Sequence, residues 1–321
     1  MNYLIKKYTA EDRQTWDEFV ERSVNGTFLF KRNYMEYHAD RFTDHSLLFF
    51  SEAGKLCSVL PANIVTEEGG QKHLHSHQGL TYGGFILGEK EGTNDMMQMF
   101  TDLKEYIRQQ GITYLHYKQM PTIYHQIPAQ GDEYALWRNN AQLEVCNIST
   151  TLYLARRPKI TKGRHWGYAS ARKQGLHIDY DTLLDAYWPI LEEGLDKRYH
   201  TKPVHTLAEI EKLKELFPGN IRCITVSTSD GEMLGGVVIF VCKRCVHLQY
   251  SIATETGMKM HALDLLYMEI IDHMTKRTDT DWFDFGTSNE EKGRYLNSNL
   301  ISFKESFGGR GIAYKQWLLK A

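Results

Sequence analysis

Apolar positions in the second half of the chain follow two distinct periods. β-Branched and alternating runs predict strands over 221–228, 235–242 and 246–252, the first two joined by the turn Ser229-Asp230-Gly231-Glu232. Leu263, Leu266, Tyr267, Ile270, Ile271 and Met274 then recur at spacings of three and four, which predicts a helix ending near Lys276-Arg277. Residues 282–285 read as a short buried strand and 290–307 as a helix with Leu296, Leu300, Phe303 and Phe307 on one stripe, closed by Gly308-Gly309. The last strand is 312–319. Upstream, 182–194 and 207–217 are amphipathic helices, so the order is helix, helix, three antiparallel strands, helix, strand, helix, strand.

The first half repeats this order more loosely. Segments 12–22 and 33–41 predict helices, and 46–50, 56–65 and 85–87 predict strands. A helix over 94–110 has Asn94 as its cap and Met97, Phe100, Leu103 and Ile107 as its stripe; strand 112–118, a weaker helix over 133–139 and strand 145–154 follow. The repetition predicts an internal duplication of one mixed α/β unit. The expected division is 1–154, a connecting segment 155–178, and 179–321.

Composition agrees with two such units. A chain of 321 residues is about twice the ~150 residues of an ordinary domain, and 42% hydrophobic content with only 7 prolines excludes a disordered or collagen-like chain. No run approaches the ~20 apolar residues of a membrane span, and the first residues lack a signal-peptide core, so the expected address is the cytoplasm. Five scattered cysteines predict free thiols rather than a disulfide framework.

Charge changes the picture locally. The net charge of −2 speaks against duplex nucleic acid as a partner, yet between Glu144 and Asp179 there is no acidic residue, while Arg156, Arg157, Lys159, Lys162, Arg164, Arg172 and Lys173 all fall there. Such a run is ordinarily a solvated face; the alternative is a site for a phosphate-bearing ligand.

Other features carry candidate chemistry. The turn 254–261, between the third strand and its helix, could offer backbone N–H groups to a pyrophosphate through Gly257, Met258, Lys259, Met260 and His261. His73, His75 and His77 alternate and would share one face of a strand, but no fourth metal ligand is evident, so the expectation is a polar strand face and no metal. Cys242-Lys243-Arg244-Cys245 lies on a predicted hairpin without a second pair and reads as structural. Gly79–Gly84 lacks the Lys-Ser/Thr ending of a phosphate loop and reads as a tight turn.

Several blocks in the second half match a known family in order: 197–207 (KRYHTKPVHTL), 283–288 (FDFGTS), 295–297 (YLN) and 303–311 (FKESFGGRG), preceded by Arg172-Lys173-Gln174-Gly175. With Gly235-Gly236 opening the middle strand, the chain resembles the FemABX-like branch of bacterial GNAT-type acyltransferases, in which two GNAT units stand in tandem. The resemblance implies a mixed α/β (α+β) fold and transfer of an acyl or aminoacyl group, from an acyl-CoA or an aminoacyl-tRNA, to an amine of a small molecule or peptide. It implies no tightly bound cofactor. Lys304, between aromatic residues, takes the place of the family's lysine and is expected to stabilise an oxyanion, with His205 as candidate base. Arg172, Lys173, Lys202, Ser288 and Asn297 are expected to contact substrate. Two departures stand out: Phe303 occupies the position of the general-acid tyrosine of simple acetyltransferases, and Glu255 would repel a pyrophosphate. They are what favours the second reading, a non-catalytic GNAT-fold module that binds a phosphate-bearing ligand. The coiled-coil arm of tRNA-gripping members has no heptad counterpart here.

Overall fold

The computed structural model describes residues 2–277 and 279–321. The chain forms two compact units, the first made of residues 1–148, 289–295 and 313–321 and the second of 149–288 and 296–312. The boundary therefore falls inside a strand rather than in the basic segment, and the end of the chain returns to the first unit.

In the first unit the elements are β1 (Leu4–Lys7), α1 (Arg13–Arg22), α2 (Arg32–Met35), β2 (Thr43–Asp44), β3 (Leu47–Phe50), β4 (Leu56–Leu60), β5 (Asn63–Thr66), β6 (Lys72–His75), β7 (Ile86–Leu87), α3 (Thr93–Gln109), β8 (Ile112–Lys118), α4 (Gly131–Arg138) and the start of β9 (Gln142–Tyr153). β1, β3, β4 and β7 make an antiparallel sheet. β2, β5 and β6 are antiparallel neighbours, and β6 pairs with β8 in parallel. The expected strand 56–65 is two strands, because Pro61 has no N–H to give to a ladder. The expected helix 33–41 shrinks to one turn of α2 and a 3-10 turn at Glu36–His38. α3 places Phe100, Leu103 and Ile107 in the core against Leu47, Leu115 and Tyr117. Its first turn is capped by Asp95, which accepts from the Gly92 N–H at 2.9 Å.

The second unit contains α5 (Lys162–Lys173), β10 (His177–Asp179), α6 (Leu184–Tyr199), α7 (Leu207–Leu216), β11 (Ile221–Ser227), β12 (Met233–Val241), β13 (Cys245–Ala253), α8 (Glu255–Lys259), α9 (Ala262–Thr275) and β14 (Trp282–Thr287). After the short strands β15 (Asn289–Glu290) and β16 (Tyr295–Leu296) come α10 (Ser298–Glu305) and β17 (Arg310–Lys320). β10 to β13 form an antiparallel run, β13 pairs with β14 in parallel, and β14 pairs antiparallel with the 149–153 part of β9. Leu266, Ile270 and Met274 of α9 pack on Val237, Ile239 and Val246 of the sheet. The fold class is mixed α/β as the periodicities imply.

The predicted helix 290–307 is the main difference. Lys292 and Gly293 adopt left-handed conformations, at φ 53° and 89°, so residues 289–296 turn as a hairpin and the helix starts only at Ser298. Leu296 is consequently exposed.

Burial in the first unit predicts acid sensitivity. Burial holds the imidazoles of His45 and His125 neutral down to about pH 4, and raises the Asp132 carboxyl to about 6. Between pH 6.5 and 4 the unfolded chain takes up more protons at the two histidines, which lowers stability as pH falls; Asp132, holding its proton more tightly when folded, works the other way. Two groups outweigh one. The melting temperature is expected to fall as pH drops through this window, and His125→Asn should flatten the fall; an unchanged slope in that variant would remove His125 from the account.

Candidate active site

β13 and β14 are in register over three pairs, Cys245↔Trp282, Val246↔Phe283 and His247↔Asp284. One residue beyond His247, β13 carries a bulge: Leu248 pairs with Ile239 and Tyr250 with Val238, so Gln249 has no residue opposite it on β12. The ladder is thus interrupted on both sides of β13 just past the His247–Asp284 pair, where backbone polar groups become available to a ligand.

At that place the side chains form a connected polar set. Asp284 is fully buried. His247 Nδ1 lies 2.8 Å from its Oδ2, the Gly286 N–H donates to Oδ1 at 3.1 Å, and the Ser149 hydroxyl donates to the same oxygen. A carboxylate that accepts at Oδ2 fixes the proton of His247 on Nδ1 and leaves Nε2 as a base. The carboxylate needs this company, because an unpaired charge at zero exposure is costly.

Lys304 enters from α10. Rather than lying at the helix edge, it is the buried residue of α10, 7% exposed, and its ammonium donates to the carbonyls of Gly286 and Thr287, each at 2.8 Å. The late start of the helix explains this: with Leu296 outside it, the inward face is set by Lys304 and Phe307, one turn apart. Burial lowers the Lys304 ammonium to about 8, against the pull of the Asp284 charge.

Two of the expected substrate contacts adjoin this set. The Ser288 hydroxyl is buried and has no hydrogen-bond partner among the described residues, and the Asn297 N–H donates to the Ser288 carbonyl at 2.9 Å. The Asn297 side chain caps α10 by accepting from Leu300 N–H at 3.0 Å. His205 is buried at the end of its loop, where its Nδ1 sits 2.6 Å from the Tyr250 hydroxyl and its ring is edge-on to Tyr250 and Phe240. Lys202 is exposed in the same loop.

The basic segment is a helix, α5, and much of its charge is matched by α9. Arg164 is ion-paired with buried Asp264, Arg157 with Asp272 at 3.5 Å and Arg172 with Glu269 at 4.0 Å, while Arg172 also donates to the Tyr168 hydroxyl. Lys173 is exposed in the last turn. An acid-free stretch thus lies against a helix whose outer face is acidic.

The turn 254–261 is one short helix, α8, and a reversal at His261. The N–H of Gly257 goes to the Thr254 side chain, that of Met258 to the Thr254 carbonyl, that of Met260 to Thr256 and that of His261 to Met258. Gly257 is demanded by packing, since a Cβ there would come 2.1 Å from the Leu234 carbonyl oxygen. Met258 and Lys259 are exposed, Met260 packs on the core, and His261 Nδ1 meets Asp264 at 3.2 Å.

Sequence reasoning missed His247, Asp284 and Ser149. Asp284 lies inside the block 283–288 that carries the family resemblance, so a charged residue between two phenylalanines of a buried strand was the available signal. His247 and Ser149 are joined to it only by strand pairing across 37 and 135 residues.

Residues 160–295 match the family model for the acetyltransferase (GNAT) domain. No curated protein matches the chain by sequence. Solved structures do match in fold: FemX with a TM-score of 0.72 at 9% identity over 99% of this chain and 97% of its own, and L-PGS from Bacillus licheniformis with 0.61 at 11% over 98% and 92%. A tandem GNAT protein from the clavulanic acid biosynthesis pathway follows with 0.52 at 11% over 99% and 98%. Residues 160–295 are thus a GNAT-type acyltransferase domain. Over its whole length the chain shares the tandem fold of FemX and of the tandem GNAT protein. Among the described residues no helix is long and apolar enough to cross a membrane.

Proposed function

We propose that the second unit transfers an aminoacyl group from an ester-linked donor, an aminoacyl-tRNA, to a primary amine of a small molecule or peptide. The observation that carries the transfer chemistry is the pairing of half-buried His247 with buried Asp284 beside the Lys304 ammonium. His247 Nε2 takes the proton of the attacking amine as its nitrogen bonds the donor carbonyl carbon. Lys304, with two of its three donors on Gly286 and Thr287, has one left for the developing oxyanion. Collapse breaks the carbon–oxygen ester bond, and the imidazolium returns its proton to the leaving alkoxide.

The choice of an ester over a coenzyme A thioester rests on the turn 254–261. Four of its N–H groups already have acceptors, and exposed Glu255 would repel a pyrophosphate. The test is a comparison of melting temperatures with acetyl-CoA and with a tRNA acceptor stem carrying an amide-linked, non-hydrolysable aminoacyl group. The aminoacyl stem is expected to raise the melting point by mass action and acetyl-CoA to leave it unchanged. The reverse result would assign a thioester donor.

A further inference from the structure

The first unit holds a second cluster of chemistry-bearing side chains, remote in the chain from the residues that carry the transfer. β6 and β8 run in parallel with His75 opposite His116 and His73 opposite Tyr114. Alternation puts His73 and His75 on one face of β6, and the parallel register brings His116 to the same place from β8. Each of the three offers a ring nitrogen within 4.8 Å of those of the other two. His77, the third histidine of the sequence motif, lies beyond the end of β6 at φ 68° and stacks on His38 instead. The triad therefore exists, but its third member comes from another strand.

Three features point to a ligand rather than to a polar strand face. The Nε2 atom of His75 is buried and has no hydrogen-bond partner among the described residues, a condition native proteins avoid. His116 Nδ1 lies 3.2 Å from Glu144, which leaves Nε2 facing His73 Nδ1 at 3.1 Å. A carboxylate behind a histidine is the arrangement that orients a metal-bound imidazole, and two nitrogens on a tetrahedral zinc are about 3.3 Å apart, given bonds of ~2.0–2.1 Å. Charge also fits. Glu67, 3.9 Å from His73, and Glu144 offset an incoming dication, and the Lys118 ammonium is tied to the carbonyls of Gln78 and Leu80.

We propose that His73, His75 and His116 bind a divalent cation of the zinc type, with Glu144 as the positioning residue for His116. Three imidazoles leave a fourth coordination position for water or a small ligand, and the cluster lines a cavity of about 560 Å³ that could supply either. The His75 and His116 rings are stacked at 4.3 Å, so the ligands converge by turning those rings on binding. Borderline nitrogen donors select zinc over magnesium or calcium.

The experiment uses the full chain, stripped with chelator and titrated with Zn²⁺ by competition against a metal indicator, with Mg²⁺ alongside. One Zn²⁺ per chain is expected, with no competing effect of Mg²⁺. His116→Ala and His75→Ala should each weaken binding at least ~100-fold, and Glu144→Gln ~10–100-fold. His177→Gln, on exposed β10, should change nothing. Co²⁺ provides a readout independent of affinity: the intense visible bands of a tetrahedral site should appear in the native chain and be absent from His75→Ala. If a histidine variant melts early, the milder Glu144→Gln variant and the native Co²⁺ spectrum still decide the matter. Zn²⁺ uptake that is equal in the native chain and in the His75→Ala, His116→Ala and Glu144→Gln variants would overturn the proposal, as would octahedral Co²⁺ bands in the native chain.

Discussion

Lys304→Met is expected to lower turnover by ~10²–10³-fold, the usual loss when one oxyanion donor is removed. It is also expected to change stability by a few kcal/mol at most, because two effects oppose each other. The carbonyls of Gly286 and Thr287 lose a charged donor, at about 1.5–3 kcal/mol each. Against that, the native chain no longer buries an ammonium whose depression to about 8 costs roughly 3 kcal/mol at neutral pH. The pH profile separates catalysis from support of the fold. If the ammonium acts on the oxyanion, turnover should fall above about pH 8 as Lys304 loses its proton. Stability moves the other way: the unfolded lysine holds its proton up to about 10.5, so this group makes folding more favourable as pH rises from 8 to 10.5. A fall in turnover above about pH 8 while the contribution of this group to stability rises, both absent from the Met variant, is the expected signature. Full turnover in Lys304→Met would leave the residue as a clamp on the 286–287 backbone.

That Lys304 is buried was not legible in the sequence, although its candidacy was. An apolar stripe over Leu296, Leu300, Phe303 and Phe307 suggests a long helix with Lys304 turned to the edge. A left-handed Lys292 followed by Gly293 breaks the segment, and the inward face is reset. Local periodicity could not reveal this, because the reversal depends on how residues 289–296 pair. The same limit applies to the metal cluster: HLHSH shows two histidines that belong together and a third that does not, while His116 is found only through parallel pairing. Pro61 was a local signal for the break between β4 and β5 that a run of apolar residues outweighed. By contrast, the strands β11 to β13 and helix α9 were legible almost to the residue, because alternation, a Ser-Asp-Gly turn and a stripe at 3.6-residue spacing all agree there.

Asp284→Asn is expected to produce the larger kinetic effect, with turnover reduced by up to ~10⁴-fold, the loss seen when the aspartate that orients a catalytic histidine is changed to its amide. Asparagine keeps the shape of the side chain, and its carbonyl can still accept from Ser149 and from the Gly286 N–H. Its amide nitrogen, however, now faces His247 Nδ1 as a donor. His247 must accept there, which moves its own proton to Nε2 and removes the base. The melting point should fall little, since every buried partner remains bonded. Asp284→Ala is the control, because unlike the Asn variant it leaves His247, Ser149 and the Gly286 N–H without the partner they have at this position. The loss on breaking a buried charged network in this way is typically ~3–5 kcal/mol. Measured together, turnover and melting temperature assign the role of the carboxylate. A well-folded but inactive Asn variant identifies Asp284 as the residue that sets the tautomer of His247. An Asn variant with native turnover would reduce the pair to a structural contact and return the role of base to another group. The double variant with His247→Gln closes the test: if the two residues act as one unit, it should be no slower than Asp284→Asn alone.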